Sequence, residues 1–215
     1  MNEPFPRPTS SRHRRLCGWL AAACALLALT LLDKSLWRWA RLDPGEFERA
    51  SGRDLYHLFR QAGYLPTWLV IGAAIAGAEW KRGLARRWSR GLSLGASALL
   101  SGVLAEIGKG VFMRQRPGES GEYWFTWMND DWSRGPGHGL PSSHAAVAFG
   151  AAFALARLYP GSGPVAIAVA TGCGITRMLA GAHFATDVFV AGVIGWLSAR
   201  WICDLHRRWE FLAGG

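Results

Sequence analysis

Long uncharged apolar runs, separated by shorter charged segments, dominate the chain. A helix that crosses a bilayer needs about 20 mainly apolar residues, with roughly 17 as the lower limit. Three of the six runs reach that length alone, and the others need partly polar neighbours to do so. We therefore predict an all-α polytopic membrane protein, a bundle of six transmembrane helices. The runs are Leu16–Leu32, Gln61–Ala78, Gly91–Ala105, Pro141–Ala156, Leu158–Thr176 and Val188–Ala199.

The charge balance fits a membrane protein better than a nucleic-acid-binding one. Lys and Arg outnumber Asp and Glu by 24 to 15, which in a soluble protein would suggest nucleic acid. Here half of the residues are hydrophobic and the charges fall between the apolar runs, so we expect a bilayer as partner and no nucleic acid. At 215 residues the chain suits one domain, predicted over residues 16–203 with tails at 1–15 and 204–215.

Basic residues in short loops indicate the orientation, because such loops stay cytoplasmic. With six helices, the two basic tails and the basic link after the second helix fall on one side, which we predict to be cytoplasmic. The loops at 33–60 and 113–140 then face away from the cytoplasm. Residues 46–64 show a weak helical pattern, which fits an amphipathic helix on the membrane surface or a polar loop. The basic residues are Arg7, Arg12, Arg14, Arg15, Lys81, Arg82, Arg86, Arg87, Arg90, Arg207 and Arg208.

The first polar cluster closes the third predicted helix. Seven residues at about 100° each place Lys109 and Arg116 on one helical face, about 10 Å apart along the axis. Both side chains could then reach one anion, Arg as a planar fork and Lys as a point charge. Pro117 disfavours helix at the preceding residue and marks the end of the span. The alternative is a pair of cations that snorkel to a membrane boundary.

The second cluster, Pro141-Ser142-Ser143-His144, opens the fourth predicted helix. Serine is a favourable N-cap, and the free backbone N–H groups at a helix start form an anion site. His144, in the first turn, would lie close to an anion bound there. A simple cap with an incidental histidine is the alternative.

The third cluster lies between the fifth and sixth helices. His183 and Asp187 are four residues apart, so on a helix they share a face, and the carboxylate can hold the imidazole in one tautomer. Arg177 would fall on a different face of a continuous helix. We therefore expect a break near Gly181 that turns both side chains inward. A structural His–Asp pair is the alternative.

Together the three clusters resemble the signature of the type 2 phosphatidic acid phosphatase superfamily. That family includes lipid phosphatases, undecaprenyl diphosphate phosphatases and the related vanadium haloperoxidases. Ser143 stands where Gly is usual and Thr176 where Ser is usual, and both substitutes are small. The matching segments are Lys109-x6-Arg116-Pro117, Pro141-Ser142-Ser143-His144 and Thr176-Arg177-x5-His183-x3-Asp187.

The resemblance implies an integral-membrane lipid phosphatase with defined residue roles. His183 would attack phosphorus and form a phosphohistidine, and Asp187 would orient it. His144 would protonate the leaving oxygen and then activate water. The phosphate oxygens would be held by Lys109, Arg116, Arg177, Ser142 and Ser143.

Other chemistries and several substrates stay open. His144, His183 and Asp187 could imitate a metal site, but the three nearby cations would repel a metal, so we expect neither metal nor cofactor. A proton-coupled transporter would place its ionisable groups near the midplane rather than at helix ends. A haloperoxidase would not need spanning helices. The substrate could be undecaprenyl diphosphate, phosphatidic acid, phosphatidylglycerol phosphate or a lipid A phosphate, and a bacterial inner membrane would favour the first.

Overall fold

The computed structural model describes residues 11–81, 89–128 and 137–212, which contain eight α-helices and no β-strand. The predicted all-α class is confirmed, and the six apolar runs correspond to α1 and α4–α8. Arg7, Arg82, Arg86 and Arg87, which helped to predict the orientation, lie outside the described residues. The helices are α1 (Ser11–Ala40), α2 (Pro44–Ser51), α3 (Asp54–Gln61), α4 (Leu65–Lys81), α5 (Ser89–Phe112), α6 (Ser143–Leu158), α7 (Gly163–Leu179) and α8 (Ala185–Leu212).

Helix α6 lies at the centre of the bundle, packed against α5, α7 and α8. Small residues allow this close approach. A Cβ added to Gly150 would come within 2.1 Å of Ser101 Oγ on α5, and one added to Gly195 on α8 would come within 2.7 Å of the Gly150 nitrogen. Close packing of small residues is typical of helix contacts inside membranes, where apolar burial gives little driving force.

Three helices contain segments long and apolar enough to cross a membrane. They are Leu16–Ala40, Arg90–Phe112 and Ala185–Trp209, whereas α6 and α7 are apolar but shorter. Helix α8 is much longer than the run that predicted it and continues past the expected domain boundary at 203. Its polar C-terminal part is paired with the rest of the bundle, since Arg157 Nη2 on α6 lies 2.5 Å from Asp204 Oδ1. These spans and their apolar surface make this an integral membrane protein.

The polar clusters meet at one end of the bundle. The C-terminal ends of α1, α5 and α7 and the N-terminal ends of α6 and α8 converge there. The contacts that show this are Asp33 with Thr186, Ser142 with Asp187, Ser143 with Glu106, and Leu42 with Leu179. The opposite end carries the pairs Arg90–Glu79 and Arg157–Asp204.

The segment between α1 and α4 packs beside this polar end. Of the two alternatives left open for residues 46–64, helix and polar loop, the structure shows helix, in the form of the two short helices α2 and α3. Helix α3 contacts α7, where Phe59 fills the space above Gly172, and a Cβ there would come within 2.5 Å of the Phe59 ring. The segment is therefore held against the helix that carries Arg177.

Candidate active site

The start of α8 brings His183 and Asp187 together. Helix α7 ends at Leu179, and Gly181 adopts φ +66°, so the predicted break near Gly181 is confirmed. Asp187, in the first turn of α8, accepts a hydrogen bond from the backbone N–H of Phe184 at 2.9 Å, as the side chain at the third helical position does in a capping box. The same oxygen lies 3.3 Å from His183 Nδ1.

His183 is buried beside this carboxylate. Burial lowers the pKa of its imidazole below the ordinary value, and Asp187 partly opposes that shift by favouring the charged form. The ring is therefore mainly neutral at neutral pH. Asp187 engages Nδ1, so Nε2 is the ring nitrogen that this carboxylate leaves available.

Behind Asp187 lies a second buried carboxylate, Asp33 of α1. Arg114 Nη2 donates to Asp187 Oδ1 at 2.5 Å, and its Nη1 lies 3.7 Å from Asp33 Oδ2. Thr186 donates its backbone N–H to Asp33 Oδ1 at 2.9 Å and its hydroxyl to the other carboxylate oxygen. Tyr123 donates its hydroxyl to Asp33 Oδ2 at 2.5 Å. This network ties α1 and the segment after α5 to the start of α8.

Two arginines and a serine at this end of the bundle have buried polar atoms without a partner. Among the described residues, the buried Nε atoms of Arg116 and Arg177 and the buried Ser142 Oγ have no hydrogen-bond partner. The charges of both arginines act on His183. Buried polar groups are normally hydrogen-bonded. This cluster of unpartnered donors is therefore suited to bind an oxyanion.

His144 and Lys109 complete the polar end of the bundle. His144, the second residue of α6, lies within electrostatic range of Arg177, His183 and Lys109. Lys109 Nζ, however, contacts Glu106 Oε1 at 2.8 Å, and Ser143 Oγ donates to the same oxygen at 2.5 Å. An exposed carboxylate therefore stands at the rim of the arginine cluster.

The comparison with protein families decides the family. A model of the PAP2 superfamily matches residues 90–210, more than half of the chain. The chain belongs to the PAP2 superfamily. Every residue that the sequence motifs singled out lies within the matched segment.

The fold of this PAP2 protein is similar to that of a solved relative. The crystal structure of a transmembrane PAP2-type phosphatidylglycerolphosphate phosphatase from Bacillus subtilis matches with a TM-score of 0.61 and 22% identity, covering 90% of this chain and 94% of that one. The crystal structure of LpxE from Aquifex aeolicus matches with a TM-score of 0.42 and 22% identity, over 70% of this chain and 93% of that one. No curated protein matches the chain.

One expectation about local structure in the PAP2 motifs was wrong. Lys109 and Arg116 do not share a helical face, because α5 ends at Phe112 and Met113 adopts φ +51°. The backbone then runs extended, with the Arg116 N–H bonded to the carbonyl of Gly137 at 2.9 Å. Ser142 is the N-cap residue of α6, as expected, although its side chain makes no capping hydrogen bond and its hydroxyl has no partner.

Sequence reasoning also missed the supporting network of the PAP2 site. It assigned Arg116 to phosphate binding and gave no role to Arg114, two residues earlier. Asp33 was assigned to a loop, whereas α1 continues to Ala40 and buries it completely. A carboxylate directly after an apolar run is costly near a bilayer and usually functional, so this signal was present in the sequence.

Proposed function

We propose that this PAP2-superfamily enzyme, a lipid phosphatase, hydrolyses a phosphomonoester or diphosphate of a membrane lipid through a phosphohistidine at His183. The observation that carries the proposal is the contact of 3.3 Å between His183 Nδ1 and Asp187 Oδ2, beside the unpartnered buried atoms of Arg116 and Arg177. A neutral imidazole and a cluster of cations suit attack on a phosphoryl group, since phosphoryl transfer depends mainly on positioning and charge stabilisation.

In the first step, the Nε2 lone pair of His183 attacks phosphorus and the bond from phosphorus to the lipid oxygen breaks. His144, in its protonated imidazolium form, gives a proton to that oxygen and becomes neutral. The Nδ1 proton stays on the imidazole and is donated in a hydrogen bond to Asp187. The carboxylate stabilises the positive charge that develops on the ring. In the second step, His144 takes a proton from water, the water oxygen attacks phosphorus, and the bond to Nε2 breaks to release inorganic phosphate.

The phosphoryl oxygens are bound by the surrounding donors in this proposal. Arg116 and Arg177 supply guanidinium groups that match phosphate geometry. The Ser142 hydroxyl, the N–H groups near Ser143 at the start of α6 and the Lys109 ammonium supply the remaining donors. No metal ion or other cofactor is needed.

We further propose that residues 16–203 form a six-helix transmembrane domain in a bacterial inner membrane, with both tails cytoplasmic. The polar end of the bundle then faces the periplasm or cell exterior. The support is the distribution of charge: Lys81, Arg90 and Arg207 lie at the bundle end opposite the site, and basic loops stay cytoplasmic.

Release of inorganic phosphate by the purified protein tests the proposed chemistry. The substrate panel is undecaprenyl diphosphate, phosphatidic acid, phosphatidylglycerol phosphate and a lipid A phosphate. His183→Ala should lower kcat by several orders of magnitude, about 10⁴-fold or more, and Asp187→Asn should cause a smaller loss. His13→Ala, at the far end of α1, is the matched control and should retain activity.

Trapping the intermediate tests the nucleophile directly. A phosphoenzyme formed with labelled substrate should be acid-labile and alkali-stable, and it should be absent from His183→Ala. Detection of phosphoserine would overturn the assignment. A chelator should leave turnover unchanged, and restoration of activity by zinc or magnesium after chelation would contradict metal-independent catalysis.

A further inference from the structure

A small polar cavity adjoins the site on the side of α3. Its volume is about 310 Å³, and it is lined by His57, Arg60, Gln61, Tyr64 and His144. All except His144 are exposed, so the cavity opens to the surface at the polar end of the bundle. The lining contributed by described residues contains one permanent cation and several hydrogen-bond donors, and it contains no carboxylate.

The cavity has a fixed position relative to His144. A Cβ added to Gly63 would come within 2.8 Å of both His144 Cβ and Cys173 Sγ, so the turn after α3 is pressed against α6 and α7. The charge of Arg60 acts on both His144 and Arg177. The cavity therefore lies next to the phosphoryl site, with His144 as their shared wall.

The proposed reaction sets what lies beside His144. Attack by His183 is in line with the departing oxygen, and His144 protonates that oxygen. The part of the substrate nearest the leaving oxygen is therefore next to the cavity. At about 310 Å³ the cavity is at the low end for small-molecule sites, about 300 to 1,000 Å³, which suits a headgroup rather than an acyl chain.

We propose that this cavity binds a second phosphate, which remains on the leaving lipid, and that Arg60 is its main ligand. This inference rests on the proposed function. The substrate class is then a lipid whose leaving group is itself anionic, either a lipid diphosphate or a phosphomonoester next to a phosphodiester. Phosphatidic acid fits the site less well, because diacylglycerol leaves without a charge and makes no use of the Arg60 guanidinium.

Substrate preference of charge-matched variants tests the proposal. The measured quantity is kcat/KM for undecaprenyl diphosphate and for phosphatidylglycerol phosphate, each divided by kcat/KM for phosphatidic acid. Arg60→Gln should lower at least one of these ratios about 10- to 100-fold, as expected for loss of a charge-assisted hydrogen bond, and Arg60→Lys should restore part of it. Arg53→Gln removes the same charge from the same segment outside the cavity and should leave both ratios unchanged.

The pattern of results separates the possible failures. A lower ratio for the diphosphate alone, or for phosphatidylglycerol phosphate alone, supports the subsite and identifies the position of its phosphate. Equal losses on all three substrates, or unchanged ratios, would overturn it, because Arg60 would then act generally or not at all. If the wild type hydrolyses neither these three lipids nor the lipid A phosphate, or if His183→Ala stays active, the proposed function itself fails. Hydrolysis of the lipid A phosphate alone would overturn the subsite but not the proposed function.

An inhibition experiment gives a second reading that does not depend on lipid turnover. Inorganic pyrophosphate can occupy both the phosphoryl site and the adjoining cavity, whereas orthovanadate occupies the first alone. Arg60→Gln should weaken inhibition by pyrophosphate at least fivefold more than inhibition by orthovanadate, an estimate of about 1 kcal/mol for one charged contact. Equal weakening of both inhibitors would contradict the subsite. Thermal unfolding of each variant in detergent checks that the fold is kept.

Discussion

Arg114 Nη2 lies 2.5 Å from Asp187 Oδ1, and this buried contact joins the segment after α5 to the start of α8. The same guanidinium also lies 3.7 Å from Asp33 Oδ2, so one cation serves two carboxylates that are each 0% exposed. Because Asp187 also contacts His183, Arg114 holds the carboxylate that orients the proposed nucleophile.

Removal of the Arg114 charge should be strongly destabilising. Arg114→Met leaves two buried carboxylates without their cation, and breaking a buried pair in this way costs about 3–5 kcal/mol. Arg114→Lys keeps the charge but loses the planar fork, so it should cost less while still lowering kcat. Thermal unfolding and phosphate release in detergent measure both effects. Arg38→Met, at an exposed position of α1, is the control, and equal unfolding temperatures for the two methionine variants would contradict the prediction.

Tyr123 should contribute more to stability than to chemistry. Burial and the neighbouring Asp33 raise the pKa of its phenol, so the hydroxyl stays protonated and donates to Asp33 Oδ2. Tyr123→Phe removes one donor to a buried carboxylate, which should cost about 1–3 kcal/mol of folding free energy. Thermal unfolding should show the loss, whereas kcat should fall less than in Arg114→Lys. A larger loss of kcat than in that variant would place Tyr123 in the reaction itself.

The helices of this fold could be predicted from the apolar runs, but their ends could not. Hydrophobicity indicates where a helix is buried or faces lipid, whereas polar residues at helix ends are compatible with helix, turn or extended chain. Asp33 and Asp204 show this most clearly, because both look like loop residues and both lie in helices that are fixed by distant pairs. Arg114 and Arg157 supply those partners, and no local pattern identifies them.

The motifs predicted the groups of the site better than its geometry. The chain breaks at Gly181, as the spacing of Arg177 and His183 predicted, and the charges of Arg177 and Arg116 both act on the His183 imidazole. The role of Arg114 could not be read in the same way, because its spacing from Arg116 does not indicate that Arg114 pairs with Asp187 while the Arg116 Nε stays without a partner. After α5 ends at Phe112, the chain forms backbone hydrogen bonds with residues 124–126 and 137–139, which are distant in sequence.

Glu106 should oppose anion binding at the rim of the site. Its carboxylate pairs with Lys109 at 2.8 Å and lies within electrostatic range of Arg116. Glu106→Gln removes a negative charge beside the proposed phosphoryl site and frees the Lys109 ammonium. The inhibition constant of orthovanadate and the KM for the preferred substrate should both fall about 3- to 10-fold, equivalent to roughly 1 kcal/mol.

The matched control for this change lies on the protein surface. Glu122 is half exposed and its carboxylate is 4.0 Å from Lys34 Nζ, so Glu122→Gln alters the net charge equally without touching the arginine cluster. Ser143→Gly removes the second donor to Glu106 and should give an effect smaller than that of Glu106→Gln. Weaker orthovanadate inhibition in Glu106→Gln would show instead that the carboxylate is needed to position Lys109.

The acid limit of activity should follow the protonation of His183. Its pKa is lowered by burial below the ordinary value of about 6.5, so kcat/KM should hold as pH falls to about 6.5 and decline only below it. Below about pH 6.5 the unfolded chain binds more protons at His183 than the folded chain does. The free energy of unfolding should therefore also decrease as pH falls through this range.

Asp187→Asn tests whether His183 controls the acid limb of activity. The carboxylate favours the charged imidazole, so its removal should lower the pKa of His183 further and move the acid limb of kcat/KM to lower pH, although the absolute rate is reduced. Profiles of wild type and variant from about pH 5 to about pH 8 measure the shift. An acid limb that moves to higher pH in Asp187→Asn would mean that a group other than His183 controls it, because loss of a neighbouring anion cannot raise the pKa of an imidazole.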